Sequence, residues 1–188
     1  RTGVARALRW VETMNKNFLV SVIPTQAPLL GRYQNIAPIG GNGGGGHFSA
    51  VFEAENVSSG AKVALKFFAG QGDPYRQDAF IREGALLDSV LKNEPLFVQL
   101  VESPGKFVYP VPLPGGLGTL PLDLPYLAFE WLPNGTLEDH CFATRGYLDL
   151  LDRLELFKGA CRSVTRLHGL RCAHRDLKPG NFFIGARA

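Results

Sequence analysis

Apolar residues recur along this chain with two periods, and the switches between them mark out the elements. Between Lys62 and Phe68 the period is two: Val63, Leu65 and Phe67 fall on one face, Ala64 and Lys66 on the other. That alternation predicts a strand with the Val63 face toward the core. Tyr33–Ile39 reads as a first strand. Ala50, Phe52 and Ala54 alternate with Val51 and Glu53 behind a glycine-dense turn, which suggests a hairpin. Phe97–Val101 and Phe107–Tyr109 suggest a second hairpin. Tyr126–Leu132 reads as an apolar strand ended by the turn residues Pro133-Asn134-Gly135.

The other period is helical. Val4, Leu8, Val11 and Met14–Asn15, with Trp10 beside them, lie near helical spacing over residues 3–17, before Pro24 and Pro28 break the pattern. From Arg76 to Leu91, an apolar stripe of Phe80, Leu87 and Val90 predicts a helix, and Glu83 falls on that stripe. Thr136 is placed to cap a short helix, with Glu138 and Asp139 near its positive end. From Tyr147 to Gly169, Leu150, Leu154, Phe157, Cys161, Val164 and His168 form a stripe predicted to be buried, which makes Cys161 and His168 packed core groups rather than metal ligands or nucleophiles. Between 110 and 125, Pro110, Pro112, Pro114, Pro121 and Pro125 with Gly115, Gly116 and Gly118 predict an irregular surface loop and argue against a central strand.

Composition narrows the picture only a little. With 188 residues, 45% of them hydrophobic and 20% charged, the chain can bury a core of one domain or two small ones. The net charge of +3 suits polyanionic nucleotides, and the lack of a long basic run with interleaved aromatics disfavours dedicated nucleic-acid binding. Cys141, Cys161 and Cys172 are odd in number and lack CxxC spacing, so they read as reduced thiols in a cytoplasmic setting. No apolar run reaches membrane-spanning length, and no signal peptide is visible. The chain starts with Arg, and Gly185–Ala188 follows directly on an apolar run, so both ends read as cut from something longer.

Three features carry candidate chemistry. A carboxylate on a core-facing stripe is costly unless paired; Lys66 is the natural partner for Glu83, the alternative being that Glu83 sits at the stripe's edge and reaches water. The run from Ile39 to Ala54 holds six glycines between residues 40 and 46. Glycines let backbone N–H groups approach phosphate oxygens, although such runs also serve as flexible turns. No Walker-type G-x-x-x-x-G-K-[ST] is present. Finally, His174-Arg175-Asp176-Leu177-Lys178-Pro179-Gly180-Asn181 packs a carboxylate, an ammonium and an amide into one short turn in which Pro179 and Gly180 prevent a regular helix. Phosphoryl transfer wants that set: a carboxylate for the hydroxyl, a cation on the moving group and an oxygen ligand for a metal. The structural alternative is a polar turn after a buried helix.

The octapeptide resembles the catalytic loop H-R-D-L-x-x-x-N of protein kinases. Gly44, Gly46 and Val51 match the kinase pattern G-x-G-x-x-G-x-V, with Ser49 in place of the third glycine and a loop about four residues longer than usual. Val63-Ala64-Leu65-Lys66 is similar to the V-A-I-K element. Over residues 33–185 the chain thus resembles a eukaryotic-like, Hanks-type Ser/Thr protein kinase. The resemblance implies an α+β, bilobal fold: an N-lobe of antiparallel sheet plus one helix, then the start of a helical C-lobe. It divides the chain into a flanking extension (1–32), the N-lobe and inter-lobe connection (33–132) and a partial C-lobe (133–188). ATP and Mg2+ are the implied cofactors, and the implied partner is a protein bearing a Ser/Thr hydroxyl. In that reading Asp176 orients or deprotonates the hydroxyl, Lys178 steadies the γ-phosphoryl group and Asn181 binds one magnesium. Lys66, held by Glu83, grips the α- and β-phosphates, and Ala64 leaves room for the base. Phe129 is the bulky residue behind the base, and Glu130 and Leu132 offer backbone contacts to adenine. Lysine two after the aspartate fits the Ser/Thr subclass. Arg175 hints at control by phosphorylation elsewhere in the intact protein. No Asp-Phe-Gly or Ala-Pro-Glu follows Asn181, so the resemblance implies the N-terminal part of a catalytic domain. These 188 residues alone are expected to give little turnover, with the stripe from Leu150 to Val164 left uncovered. Two alternatives stay open: a nucleotide-binding pseudokinase module without catalysis, and a small-molecule phosphotransferase of kinase-like fold, such as an aminoglycoside or choline kinase. The latter usually lacks the Arg175 and Lys178-Pro179 context.

Overall fold

The computed structural model describes residues 15–41, 43–44, 48–70, 72–113, 116, 118–144 and 148–185, excepting the side chains of 142–144. They form two compact units: one runs to Asn93 and takes in Val98–Glu130, the other joins Glu94–Phe97 to the chain from Trp131 onward.

The first unit is built on a five-stranded antiparallel sheet of β1 (Tyr33–Pro38), β2 (Ser49–Asn56), β3 (Lys62–Phe68), β4 (Gly105–Pro112) and β5 (Thr119–Glu130), in the order β1-β2-β3-β5-β4. Its helices are α1 (Lys16–Val22) and α2 (Pro74–Asp88). Val63, Leu65 and Phe67 form the buried face of β3, as the alternation predicts, and they join Ala50, Phe52 and Ala54 of β2 and Leu122, Leu124, Tyr126 and Ala128 of β5 in the larger core cluster.

Leu19, Ile23 and Leu29 belong to that same cluster. The described half of the segment before β1 thus packs into the core of the sheet. The helix predicted over residues 3–17 lies mostly outside the described residues. The observed α1 begins at Lys16 because Asn15 caps it, its side-chain oxygen accepting the N–H groups of Asn17 and Phe18 at 3.0 and 3.3 Å.

On the opposite face, α2 lays Phe80 and Leu87 against Phe68, Leu127 and Phe129. Asp73 caps it through the Arg76 N–H at 3.1 Å, with Pro74 in the first turn where its missing donor costs nothing. The helix stops at Asp88, short of the predicted Leu91, so Val90 lies past its end and is exposed while Leu91 is buried. Gly84 is tightly packed: a Cβ there would stand 2.7 Å from Leu127 Cδ2 and 2.9 Å from Pro104 Cγ. Gly84→Val is expected to destabilise the fold by about 1–3 kcal/mol through overpacking. Chemical denaturation measures it, and an unchanged midpoint would refute the close approach.

The predicted hairpin of Phe97–Val101 with Phe107–Tyr109 does not form, and Pro110, Pro112, Pro121 and Pro125 lie in strands rather than an irregular loop, while Pro114 and Gly115 are outside the described residues. Phe107, Tyr109 and Val111 of β4 instead face Leu124, Leu122 and Leu120 of β5, a longer apolar row than Phe97–Val101 offers. The prolines fit because of their parity. Pro110 lies opposite Pro121, and no ladder bond can run between two residues that lack N–H. Pro112 and Pro125 fall on pairs of the same parity, while Leu113 N–H bonds Gly118 O on the other parity at 2.8 Å. All four prolines thus turn their nitrogens away from the partner strand. β4 is the sheet edge, and β5 pairs with β3 only from Tyr126 to Glu130. Residues 99–101 run beside the end of β5, with Leu100 bridging Phe129 and Val101 N–H on Ala128 O at 2.9 Å. β5 ends at Glu130, two residues before the predicted Leu132.

Glu102 ties this region together. Tyr126 O–H donates to it at 2.7 Å, Tyr33 also hydrogen-bonds to it, and Arg32 pairs with its other oxygen. Burial, then the hydrogen bond to Glu102, push both phenols well above the ordinary tyrosine range. A raised folded-state pKa means stability is complete below the unfolded value and falls as pH rises past it. Stability is accordingly expected to decline from about pH 10 upward; Glu102→Ala, which removes the acceptor of two buried phenols, is expected to cost about 1–3 kcal/mol at neutral pH. Denaturation across the alkaline range checks both, and a flat profile would contradict them.

In the second unit, α3 (Leu137–Thr144) starts from a reciprocal cap: Thr136 Oγ1 accepts the Asp139 N–H at 3.1 Å, and the Asp139 carboxylate accepts the Thr136 N–H and O–H at 3.0 and 2.7 Å. α4 (Leu150–Gly169) begins where Asp149 accepts the Asp152 N–H at 2.8 Å; Tyr147, the predicted start, is outside the described residues. Much of its stripe is uncovered, as expected for these residues alone, and Cys161 and His168 are not the packed core groups predicted. Leu150 and Phe157 are 71% and 67% exposed, Leu154 is exposed as well, and so are Cys161 and His168. The period is amphipathic, but no surface among the described residues covers it; Leu167 is the buried residue of this helix. Near the end of the described residues, Phe183 makes an isolated bridge to Thr136. No helix among the described residues is long and apolar enough to cross a membrane.

Candidate active site

Residues directly opposite in an antiparallel ladder share a face, and in the first unit the register sets the candidate residues on one. Val51 lies opposite Lys66, and Lys66 opposite Leu127; Ala64 lies opposite Phe129. Since Ala50, Phe52, Val63, Leu65 and Phe67 bury the other face, the half-buried Val51, Ala64 and Lys66 point to the side that carries α2. There Lys66 Nζ meets both oxygens of Glu83, at 2.6 and 2.9 Å, and lies 5.6 Å from the Phe80 ring centroid. Glu83 is thus paired, and its side chain, 42% exposed, reaches water as well. Phe129 is buried between this sheet face and α2 with Phe68, Phe80 and Leu127.

Gly44 is described, in a left-handed conformation at φ +42°; Gly46 lies outside the described residues. Gly43, at φ +80°, accepts the Val51 N–H on its carbonyl at 2.7 Å, which fastens the turn to β2. Of the residues expected to meet adenine, Glu130 already donates its N–H to Gln99 O at 3.0 Å, and its carboxylate accepts the Gln99 N–H at 2.9 Å. In the second unit, Leu132 O accepts the Gly135 N–H at 3.4 Å. Gln99 was not legible as part of this segment, since the pairing joins residues 31 apart in sequence.

The second unit holds the catalytic-loop candidates together. Asn181 Nδ2 donates to the Asp176 backbone carbonyl at 2.7 Å and to its Oδ2 at 3.0 Å, and Lys178 Nζ pairs with the same Oδ2 at 2.9 Å. With both amide hydrogens spent on Asp176, Asn181 presents Oδ1 as its ligand atom. Lys178, then Asn181, hold the Asp176 carboxyl below the usual carboxylate range. The loop is shaped by a 3-10 turn, Pro179–Asn181, and by left-handed backbone at Arg171 and Arg175 (φ 58° and 63°), an uncommon state for a non-glycine residue. Its exit is tied to the start of α3 by Leu137 N–H on Phe182 O at 2.7 Å and Ile184 N–H on Gly135 O at 2.9 Å. Arg175 is exposed.

A hard divalent cation suits this donor set. Asn181 has its Oδ1 left to offer, and among the described residues no group of three or more His, Cys, Asp or Glu is arranged to hold a metal by itself. Magnesium keeps most of its shell as water and phosphate and needs only one or two protein oxygens.

Comparison with known proteins agrees with this geometry. Residues 39–188 match the family model for the protein kinase domain. The DNA damage response protein kinase DUN1 of Saccharomyces cerevisiae is 29% identical over 142 residues, covering 75% of this chain and 25% of that protein. The serine/threonine-protein kinase pkn2 of Myxococcus xanthus is 30% identical over 169 residues, covering 88% of this chain and 17% of its own length. A probable serine/threonine-protein kinase, PBL20, of Arabidopsis thaliana is 36% identical over 59 residues. The chain spans a quarter or less of the length of these relatives.

Proposed function

The chain belongs to the protein kinase family, and on that premise we propose that it carries the nucleotide-holding and catalytic-loop residues of an ATP-dependent Ser/Thr protein kinase. The convergence of Lys178 and Asn181 on Asp176, all within 3.0 Å, is the observation that carries the reading. Asp176 receives and orients the acceptor hydroxyl. Its depressed basicity suits orientation, with the proton taken up late, better than early abstraction. Lys178 turns its ammonium from Asp176 to the transferring phosphoryl group, where charge accumulates. Asn181 offers Oδ1 to Mg2+, which when bound supplies charge neutralisation at the phosphates.

Lys66, oriented by Glu83, holds the α- and β-phosphates, with Gly44 and Gly46 in the covering turn and Val51 and Ala64 leaving a smooth wall for the base. Phe129 backs that wall. Because the Glu130 N–H and the Leu132 carbonyl are engaged within the protein, contacts to adenine fall to the Glu130 carbonyl and the Leu132 N–H. The domain division we propose is an extension over 1–32, whose second half is packed on the N-lobe core, an N-lobe with its connection over 33–132, and C-lobe residues from 133 to 188.

Calorimetric titration with MgATP tests the binding half, and transfer to Ser-, Thr- and Tyr-containing peptides by the protein that carries this chain tests the chemistry. Magnesium-dependent ATP binding and labelling of Ser and Thr are expected. Absence of ATP binding would refute the reading; binding without transfer would favour a pseudokinase module, and tyrosine labelling would refute the Ser/Thr assignment.

A further inference from the structure

Gly43 and Gly44 of the glycine-rich stretch are held from outside it by residues that no kinase motif names. Lys16, on α1, donates its ammonium to the Gly44 carbonyl. Behind Gly43 stands Val20: a Cβ on Gly43 would lie 2.8 Å from Val20 Cγ2 and 3.5 Å from Lys16 Cε. α1 is itself anchored, with Leu19 and Ile23 fully buried in the core of the sheet. Where the turn re-enters β2, the Arg76 guanidinium lies 3.5 Å over the Phe48 ring and pairs with Asp73 at 3.1 Å.

A trans peptide directs its carbonyl and its N–H to opposite sides. The Gly44 carbonyl is fixed on the α1 side by Lys16, and the Gly43 carbonyl is fixed on Val51, so the Gly44 N–H faces away from β2. Two consecutive peptide planes are thereby set by partners outside the turn. Glycine peptides left free would have to lose that freedom on meeting phosphate. We propose that Lys16, backed by Val20, is a positioning residue: α1 pre-orders Gly43 and Gly44 and so raises affinity for the phosphate chain of the nucleotide. The ammonium adds positive charge behind the turn, and the segment before β1 becomes part of the nucleotide site. This rests on the ATP-binding reading above.

The test compares Lys16→Met, Lys16→Arg and Val20→Ala with the unaltered chain, titrating MgATP, MgADP and adenosine and recording thermal unfolding without nucleotide. Lys16→Met is expected to weaken MgATP and MgADP by roughly five- to tenfold, the net size of one ordinary hydrogen bond, with adenosine affinity and the unfolding midpoint unchanged. Lys16→Arg is expected to restore most of the affinity, and Val20→Ala to weaken MgATP in the same selective way. Unaltered MgATP affinity in Lys16→Met would overturn the proposal alone. Equal losses for ATP and adenosine, or a loss that tracks a lowered unfolding midpoint without rescue by arginine, would show a merely structural role and also overturn it. Failure of the unaltered chain to bind MgATP would remove both this proposal and the reading it rests on.

Discussion

Asp176→Asn is expected to lower phosphoryl transfer by at least about a hundredfold while nucleotide affinity and the unfolding midpoint stay put. The substitution keeps size and one acceptor for Asn181 Nδ2, so the loop retains its shape; it removes the charge that orients the hydroxyl and accepts its proton. Asp176 lies on an exposed loop, so no core packing is at stake. Because Lys178 and then Asn181 depress its pKa, Asp176 stays ionised as pH falls to the ordinary aspartate value of about 3.9 and below. Loss of activity toward acid pH, above that value, must then come from another group or from unfolding. Steady-state transfer to a Ser/Thr peptide, measured from pH 5 upward in the protein that carries this chain, reads both points. Retention of most activity in Asp176→Asn would remove Asp176 from the catalytic role.

Lys66→Met is expected to weaken MgATP by tenfold or more and to lower transfer by about a hundredfold, the range found when a preorganised charge-stabilising group is deleted. Stability should hardly move. The side chains of Lys66 and Glu83 are 24% and 42% exposed, and a pair that open to water contributes about 0–1 kcal/mol after screening. Methionine preserves the aliphatic stem against Phe80. Glu83→Gln, which still offers Lys66 one acceptor oxygen, is expected to act in the same direction and more weakly. Titration beside thermal unfolding separates the roles. A large fall in unfolding midpoint with unchanged nucleotide affinity would make the Lys66–Glu83 pair a structural tie between β3 and α2 instead.

The sequence by itself determined whatever depends on near neighbours. The buried face of β3 followed from alternation at Val63, Leu65 and Phe67, the start of α3 from Thr136 with Asp139 three residues on, and the turn bearing Asp176, Lys178 and Asn181 from Pro179 and Gly180. Such features are set by backbone geometry within a few residues, which the chain spells out directly. Glu83 meeting Lys66 was legible too, because an apolar stripe marks a carboxylate as needing a partner.

Tertiary structure alone decided the pairings between distant segments. Four prolines read as a loop, yet they share one parity of the β4–β5 ladder, and parity exists only once a register is chosen. Phe97–Val101 had strand-like composition, but the longer apolar row of β5 took up β4. The stripe on α4 was recognised as amphipathic, but periodicity shows which side is apolar and not whether anything covers it, so Cys161 and His168 were placed in a core that the described residues do not form. Lys16 on Gly44 and Val20 behind Gly43 join residues more than twenty apart. No local signal marks them, because contacts of that kind arise only after the hydrophobic core has brought α1 onto the sheet.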